Sequence, residues 1–281
     1  MSAGSIASTA GVPPSKGKLR VQRFEVPYRV YGGGRSTLVF INGIQQSMAM
    51  WHSFVRRFSQ SYRIVLFDSP SQGNSRIRAG SPIVTVDEQV EILHAVIKTT
   101  SGADRPTICS ASWGGVVGLA YAVRHPDQLR NLILASVGMK ANQKMIELIS
   151  KGTAMPGKDG LTVAETLIES VGQGLPVAMK NRILGQFRRM SPEAIEAFSQ
   201  HGLMVISVRN LSEVVDLDKV RCKTILLHGE NDAIIDVEDV RSLALRIPHA
   251  EMRTIKDVGH FLHLEKEELL DVYEDLLASL V

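Results

Sequence analysis

The sequence predicts an α/β fold, a mostly parallel, doubly wound sheet with a helical cap inserted into it. Three observations predict it. Short apolar runs rich in β-branched residues recur along the chain, as strands buried on both faces require. Amphipathic stretches with apolar residues at helical spacing lie between them. One interval, from about Lys140 to Asp218, carries helical patterning without any such run.

The chain opens on MSAGSIASTAGVPPSKG, mostly small or polar residues with no charge before Lys16 and no apolar stretch. Residues 1–17 therefore fit neither a secretory signal nor a membrane anchor and read as a flexible arm. LRVQRFEVPYRVYGGG (19–34) reads as an antiparallel hairpin on the sheet edge. Buried strands are expected at TLVFING (37–43), RIVLFDSP (63–70), PTICSAS (106–112) and NLILASVG (131–138). Beyond the cap they resume at KTILLHG (223–229) and EMRTIKD (251–257). Helices are expected over VDEQVEILHAVIK (86–98), from Trp113 to Arg124, and over DVEDVRSLALRI (236–247). The core thus takes in residues 18–139 and 219–281, and the cap residues 140–218. Within the cap, QKMIELISKG, LTVAETLIESVG and MKNRILGQFRRM alternate with Gly and Pro punctuation, and an insertion at this point sits over the carboxyl edge of the sheet.

Composition narrows the function classes. With 44% hydrophobic and 22% charged residues, a chain of 281 residues can bury one large core. No apolar run reaches the roughly 18 residues of a membrane-spanning helix, so no membrane span is expected. A net charge of +3 falls well short of the dense Lys/Arg stripe of a nucleic-acid binder. Cys109 and Cys222, in a chain without an export signal, argue for free thiols, a reducing compartment and a cytoplasmic location. The sequence has no cluster at metal-ligand spacing and no dinucleotide-type glycine motif, so neither metal nor bound cofactor is expected.

One segment carries chemistry. SASWGG (110–115) has the form of a nucleophile elbow, G-x-S-x-G, with serine in place of the first glycine. Ser112 ends a strand and precedes a helix, the context in which a sharp, strained turn exposes a serine hydroxyl. The residues two before and two after it must be small where strand and helix cross. Ser110 meets that limit less freely than glycine, and Gly114 meets it fully. Free N–H groups at the helix start face the place where an oxyanion would form, and the Trp113 N–H is the first donor expected. The second is the Ile44 N–H in the loop Ile41-Asn42-Gly43-Ile44, although Asn42-Gly43 taken alone is also an ordinary turn.

A serine hydroxyl needs a histidine to take its proton, and the histidine needs an acid to fix its tautomer. In this strand-turn-helix context the chain order is Ser, acid, His. Asp232 follows a strand directly and is the acid chosen over Glu230, Asp236 and Asp239, the last two falling on the next helix. His260, in Asp257-Val258-Gly259-His260-Phe261 after the last strand, is the base. His94, His125 and His263 belong to helices or their ends and have structural explanations. The loop DSPSQGNS (68–75) reads as a rigid turn that shapes the site.

Together INGI, VLFDSPSQGNSR, VDEQVEIL, SASWGG, HGEND and GHFLHLE resemble the α/β-hydrolase family over about residues 20 to 280. The resemblance is closest to the rhamnolipid-precursor (hydroxyalkanoyloxy-alkanoate) synthases and the hydroxyacyl carrier-protein transacylases, in which serine also stands two positions before the nucleophile. It implies catalytic Ser112, Asp232 and His260, and (R)-3-hydroxyacyl thioesters of acyl carrier protein or coenzyme A as substrates. His263 stands where that subfamily has an acidic residue. The implied reaction joins two hydroxyacyl chains through a serine acyl-enzyme. Transfer of one chain to coenzyme A, plain thioester or ester hydrolysis, and ligand binding with little turnover are the alternatives.

Two features of the cap bear on that substrate class. Between Lys140 and Met190 eight Lys or Arg residues stand against four acids, a field that would draw in an acidic carrier protein or a phosphate-bearing thioester. The same residues also read as a solvated helical surface. Met145, Ile146, Leu148, Leu167, Ile168, Ile183, Leu184 and Phe187 are expected mostly to seat the cap on the core rather than to line an acyl tunnel.

Overall fold

The computed structural model describes residues 14–154 and 159–280. β1 (Ser15–Val21) and β2 (Phe24–Tyr31) form an antiparallel hairpin at the edge of the sheet, turned at Gln22. There follow β3 (Thr37–Ile41), β4 (Arg63–Phe67), the two-residue β5 (Arg76–Ile77), β6 (Thr107–Ala111), β7 (Asn131–Ala135), β8 (Lys223–Gly229) and β9 (Ala250–Ile255). The sheet runs β1-β2-β4-β3-β6-β7-β8-β9, with β5 pairing the start of β2. Neighbours from β4 through β9 pair in parallel, and β2 joins β4 antiparallel.

The helices in chain order are α1 (His52–Phe58), α2 (Val86–Thr100), α3 (Trp113–Arg124), α4 (Gln143–Ala154) and α5 (Gly160–Val171). α6 (Val177–Arg188), α7 (Pro192–Ser207), α8 (Val237–Arg246), α9 (Leu262–Glu265) and α10 (Leu269–Ser279) complete them. Alternation along the central strands divides the core between two faces. Val39, Ile41, Leu132 and Leu134 pack with α2, α3 and α8, whereas Leu38, Phe40, Ile133 and Ala135 pack with α1 and α10. Burial on both sides is the reason these strands read as continuous apolar runs.

Three differences from the sequence reading have physical causes. Residues 1–13 of the expected arm lie outside the described residues, but Ser15 to Gly17 already pair with β2. Main-chain bonding to a neighbour suffices for an edge strand, so its polar side chains gave no sign of it. β9 is not a doubly buried strand; it closes the opposite edge and leaves Glu251, Arg253 and Thr254 exposed. The insertion between β7 and β8 gains a fourth long helix, α7, started by the Ser191 hydroxyl accepting from the Ala194 N–H and by Pro192 in the first turn.

A separate apolar cluster seats the insertion. Val163, Ala164, Ile183, Phe187 and Ile195 from α5, α6 and α7 pack on Met50 and Leu264 of the core. Each large side chain so buried contributes about 1.5–3 kcal/mol. The insertion is thereby held over the carboxyl ends of β6, β7 and β8.

Candidate active site

The backbone makes Ser112 conspicuous before its chemistry is considered. It stands between β6 and α3 with φ +50° and ψ −124°, a conformation that costs a non-glycine residue about 1–3 kcal/mol. Its N–H donates to the Ala135 carbonyl (2.8 Å), and its carbonyl accepts from the Gly115 N–H (2.8 Å), so the turn is pinned on both sides. A Cβ on Gly114 would lie 2.7 Å from the Asn42 carbonyl oxygen and 2.8 Å from that of Ile41. Glycine is therefore required where α3 crosses the end of β3. Ser110, two residues before Ser112, is wholly buried and its Oγ has no hydrogen-bond partner. That position accepts the size of serine without using its hydroxyl.

His260 reaches this turn from the far side of the insertion. Its Nε2 is 3.0 Å from Ser112 Oγ and its Nδ1 is 2.9 Å from Asp232 Oδ2. Both contacts are satisfied by the tautomer in which Nδ1–H donates to the carboxylate and Nε2 accepts from the hydroxyl. The other carboxylate oxygen, Asp232 Oδ1, accepts from the Ile234 and Ile235 N–H groups at 3.0 and 3.1 Å. Burial alone would raise the Asp232 pKa, but the His260 charge, its hydrogen bond and those two amides outweigh it and hold the carboxyl below its ordinary range. The rival acids are occupied elsewhere: Glu230 accepts from the Asp257 N–H, and Asp236 from the Asn142 side chain.

Two residues that sequence reasoning did not single out place His260. Glu265 accepts from the Gly259 N–H (2.7 Å) with one oxygen and from the Phe261 N–H (3.1 Å) with the other, clamping the loop on either side of the histidine. The Ser136 hydroxyl, just beyond β7, donates to the His260 carbonyl at 2.7 Å. Gly229 lets the loops bearing Asp232 and His260 approach, because a Cβ there would lie 2.3 Å from the Gly259 carbonyl oxygen.

Among the described residues, neither the Ile44 nor the Trp113 N–H has a hydrogen-bond partner. The loop carrying Ile44 is fixed by buried polar contacts. Gln46 accepts from the Gly43 N–H (3.1 Å), Gln72 accepts from the Gln46 N–H (3.1 Å), and Asp68 accepts from the Met48 N–H (2.8 Å). Asn42 donates to the Phe67 carbonyl (3.2 Å) and accepts from the Trp51 indole (2.8 Å). Asp68 is wholly buried, and burial raises its carboxyl above the usual range despite the amides of Met48 and Asn74. The Trp113 indole in turn donates to Gln89 of α2 at 3.2 Å.

Among the described residues no other histidine hydrogen-bonds to Ser112, Asp232 or His260, although His228 and His263 lie near enough to feel the His260 charge. His94 and His125 stack on each other with ring centroids 4.2 Å apart. His263 is buried and stacks on Trp51 at 4.5 Å, and burial, then the neighbouring His260, push it down to about 3.

Ser112 and His260 face a cavity of about 800 Å3, part of it open to solvent. Ile44 and Gln46 bound it on the core side, and the insertion closes it with apolar side chains. Of the eight cap residues expected mostly to serve packing, Met145, Leu148, Leu167, Ile183 and Phe187 line this cavity, Ile168 and Leu184 pack, and Ile146 is exposed. Ile183 and Phe187 do both, since an enclosed pocket is walled by the same side chains that seat its cover. A further cavity of about 510 Å3 shares Leu148, Ile149, Leu167 and Phe198 with the first and continues between α4, α5 and α7. Gln186 of α6 donates to the Gln45 carbonyl (3.2 Å), tying the cover to the Ile44 loop.

A sequence model of the alpha/beta hydrolase family matches residues 38–272, which takes in all of these groups. The chain belongs to the α/β-hydrolase family. Among curated proteins this α/β hydrolase is similar to the (R)-3-hydroxydecanoyl-ACP:CoA transacylase of Pseudomonas putida, with 23% identity over 85% of this chain and 83% of that protein. It is also similar to the protein of the same name from Pseudomonas aeruginosa, with 21% identity over 92% of this chain and 86% of that one. Among solved structures, the 2-hydroxy-6-oxo-6-phenylhexa-2,4-dienoate hydrolase of Rhodococcus sp. strain RHA1 superposes with a TM-score of 0.78 at 18% identity, covering 95% of this chain and 98% of that one. That likeness extends the α/β-hydrolase fold over nearly the whole chain.

Proposed function

We propose that the protein is a serine acyltransferase that joins two (R)-3-hydroxyacyl chains, delivered as thioesters of acyl carrier protein or coenzyme A, into a hydroxyalkanoyloxy-alkanoate, the lipid precursor of rhamnolipids. One observation carries the reading: the hydrogen-bonded series Ser112, His260 and Asp232 opens into an apolar cavity roofed by helices. Such a roof suits an alkyl chain and keeps water scarce at the acyl group.

In the first half of the reaction His260 Nε2 takes the Ser112 proton as Oγ bonds to the thioester carbonyl carbon. The Ile44 and Trp113 N–H groups receive the oxyanion, a contribution of about 2.7–4 kcal/mol for each donor. The C–S bond then breaks, the thiol leaves with the proton from His260, and an ester on Ser112 remains. In the second half the 3-hydroxyl of another hydroxyacyl group gives its proton to His260 and attacks the ester carbon. The C–Oγ bond breaks and Ser112 recovers its proton from His260, and hydrolysis of the dimer's remaining thioester in a later step frees the second thiol and gives the hydroxyalkanoyloxy-alkanoate. Asp232 stabilises the imidazolium in both halves. We place this work in the cytoplasm, where free thiols such as the buried Cys109 and Cys222 persist.

A second reading, transfer of the acyl group to the thiol of coenzyme A, is favoured by the activity for which the Pseudomonas relatives are named. Purified protein incubated with hydroxydecanoyl carrier protein, with and without coenzyme A, separates the two by mass spectrometry. An ester dimer is expected, a coenzyme A thioester would establish the second reading, and free hydroxydecanoate alone would refute both.

A further inference from the structure

We propose that a second cavity, on the other side of Ser112, is an acceptor site that holds the aliphatic chain of a second 3-hydroxyacyl group while the first is esterified to Ser112. The inference rests on the acyl-transfer reading above. This cavity encloses about 440 Å3, part of it open to solvent, and lies between the β7–α4 connection, the start of α3 and the end of α7. Among the described residues, its lining and that of the 800 Å3 cavity have Ser112 and Met145 alone in common. Ser112 therefore stands at a junction, and the buried Met145 divides the two spaces.

Two arguments assign the roles. The larger cavity has His260 and Ile44 on its wall and runs on into the third, so it offers the longer apolar path and takes the chain carried by Ser112. The second is walled by Trp113, Val137, Met139, Val205, Val208 and Ile235. Water gains little from these apolar walls, whose polar groups are Ser112, Ser136 and Lys140, whereas an alkyl chain gains about 25 cal/mol for each Å2 it removes from solvent. The exposed Lys140 marks the open side. An acceptor lying there brings its hydroxyl to the acyl carbon on Ser112 Oγ, and His260 Nε2, 3.0 Å from that Oγ, is within reach of its proton. Occupancy also keeps out the water that would hydrolyse the ester.

Ala141→Phe and Val208→Phe, at partly buried wall positions, fill this cavity. With hydroxydecanoyl carrier protein, single-turnover thiol release reads acylation, and mass spectrometry reads ester dimer and free acid. Thiol release is expected within about twofold of the wild type, dimer lowered roughly tenfold or more, and free acid as the main product. Leu148→Phe, in the larger cavity, is expected to slow thiol release itself. Unchanged dimer yield in the filled variants overturns the assignment, as does loss of thiol release in a filled variant that melts like the wild type. Should both fail to fold, Val208→Ala widens the cavity; given an equimolar mixture of hydroxydecanoyl and hydroxydodecanoyl carrier proteins it is expected to shift only the acceptor half of the dimer toward the longer chain, and an unaltered distribution overturns the proposal. If the wild type itself releases no thiol, the parent reading fails, a result distinct from any of these.

Discussion

Replacing His263 by phenylalanine should make the protein more resistant to mild acid. The imidazole is 5% exposed, stacks on Trp51, and has no hydrogen-bond partner at either ring nitrogen. Burial lowers its pKa from 6.5 to about 3 in the folded protein. Between those values the unfolded chain binds a proton that the folded chain does not, so stability falls as the pH falls through this window. Moving from pH 7.5 to pH 5.0 should remove about 2 kcal/mol through this group. His263→Phe keeps a ring against Trp51, abolishes the proton uptake, and relieves unpaired buried nitrogens worth about 1–3 kcal/mol. Urea unfolding of both proteins at the two pH values provides the test. The advantage of the variant should grow by about 2 kcal/mol on acidification, and a parallel decline in both would refute the reasoning. His201, lowered to about 4 by burial, is present in both proteins and cancels in the difference.

Further expectations concern the reaction and its scaffold. Ser112→Ala should abolish turnover and labelling by a fluorophosphonate probe, and residual dimer synthesis would remove Ser112 from the mechanism. Glu265→Gln leaves one acceptor oxygen for two backbone donors, so His260 should wander and kcat fall about 10- to 100-fold with KM little changed. A rise in KM with kcat unchanged would show that the clamp serves binding instead. Gly229→Ala drives a methyl group into the Gly259 carbonyl and should cost about 1–3 kcal/mol in thermal unfolding, with activity lost in step.

What could be read from the sequence was local. The strands buried on both faces announced themselves as apolar runs; Ser112 and Asp232 each follow such a run and His260 follows the edge strand β9, so topology carried all three toward one edge of the sheet. The first residues of β1 did not announce themselves, and β9 reads as a strand but not as an edge one, because an edge strand is held by main-chain bonds that need no apolar signature. Ser136 lies 124 positions from the carbonyl it supports, and no spacing rule connects them. Glu265 was visible as the last letter of GHFLHLE, yet its task appears once the chain has turned back on itself to present two amides to one carboxylate. Helix α7 carried its signal in Ser191-Pro192, a start motif that needs no long apolar stripe behind it.

Glycine would adopt the left-handed backbone of Ser112 free of the roughly 1–3 kcal/mol that serine bears there. A Ser112→Gly protein should therefore melt later than its parent while converting nothing. A lineage relieved of the need for turnover could gain robustness at this position. Its roofed apolar chambers would survive the change, leaving, on the proposed function, a sturdier binder of acyl chains in place of an acyltransferase.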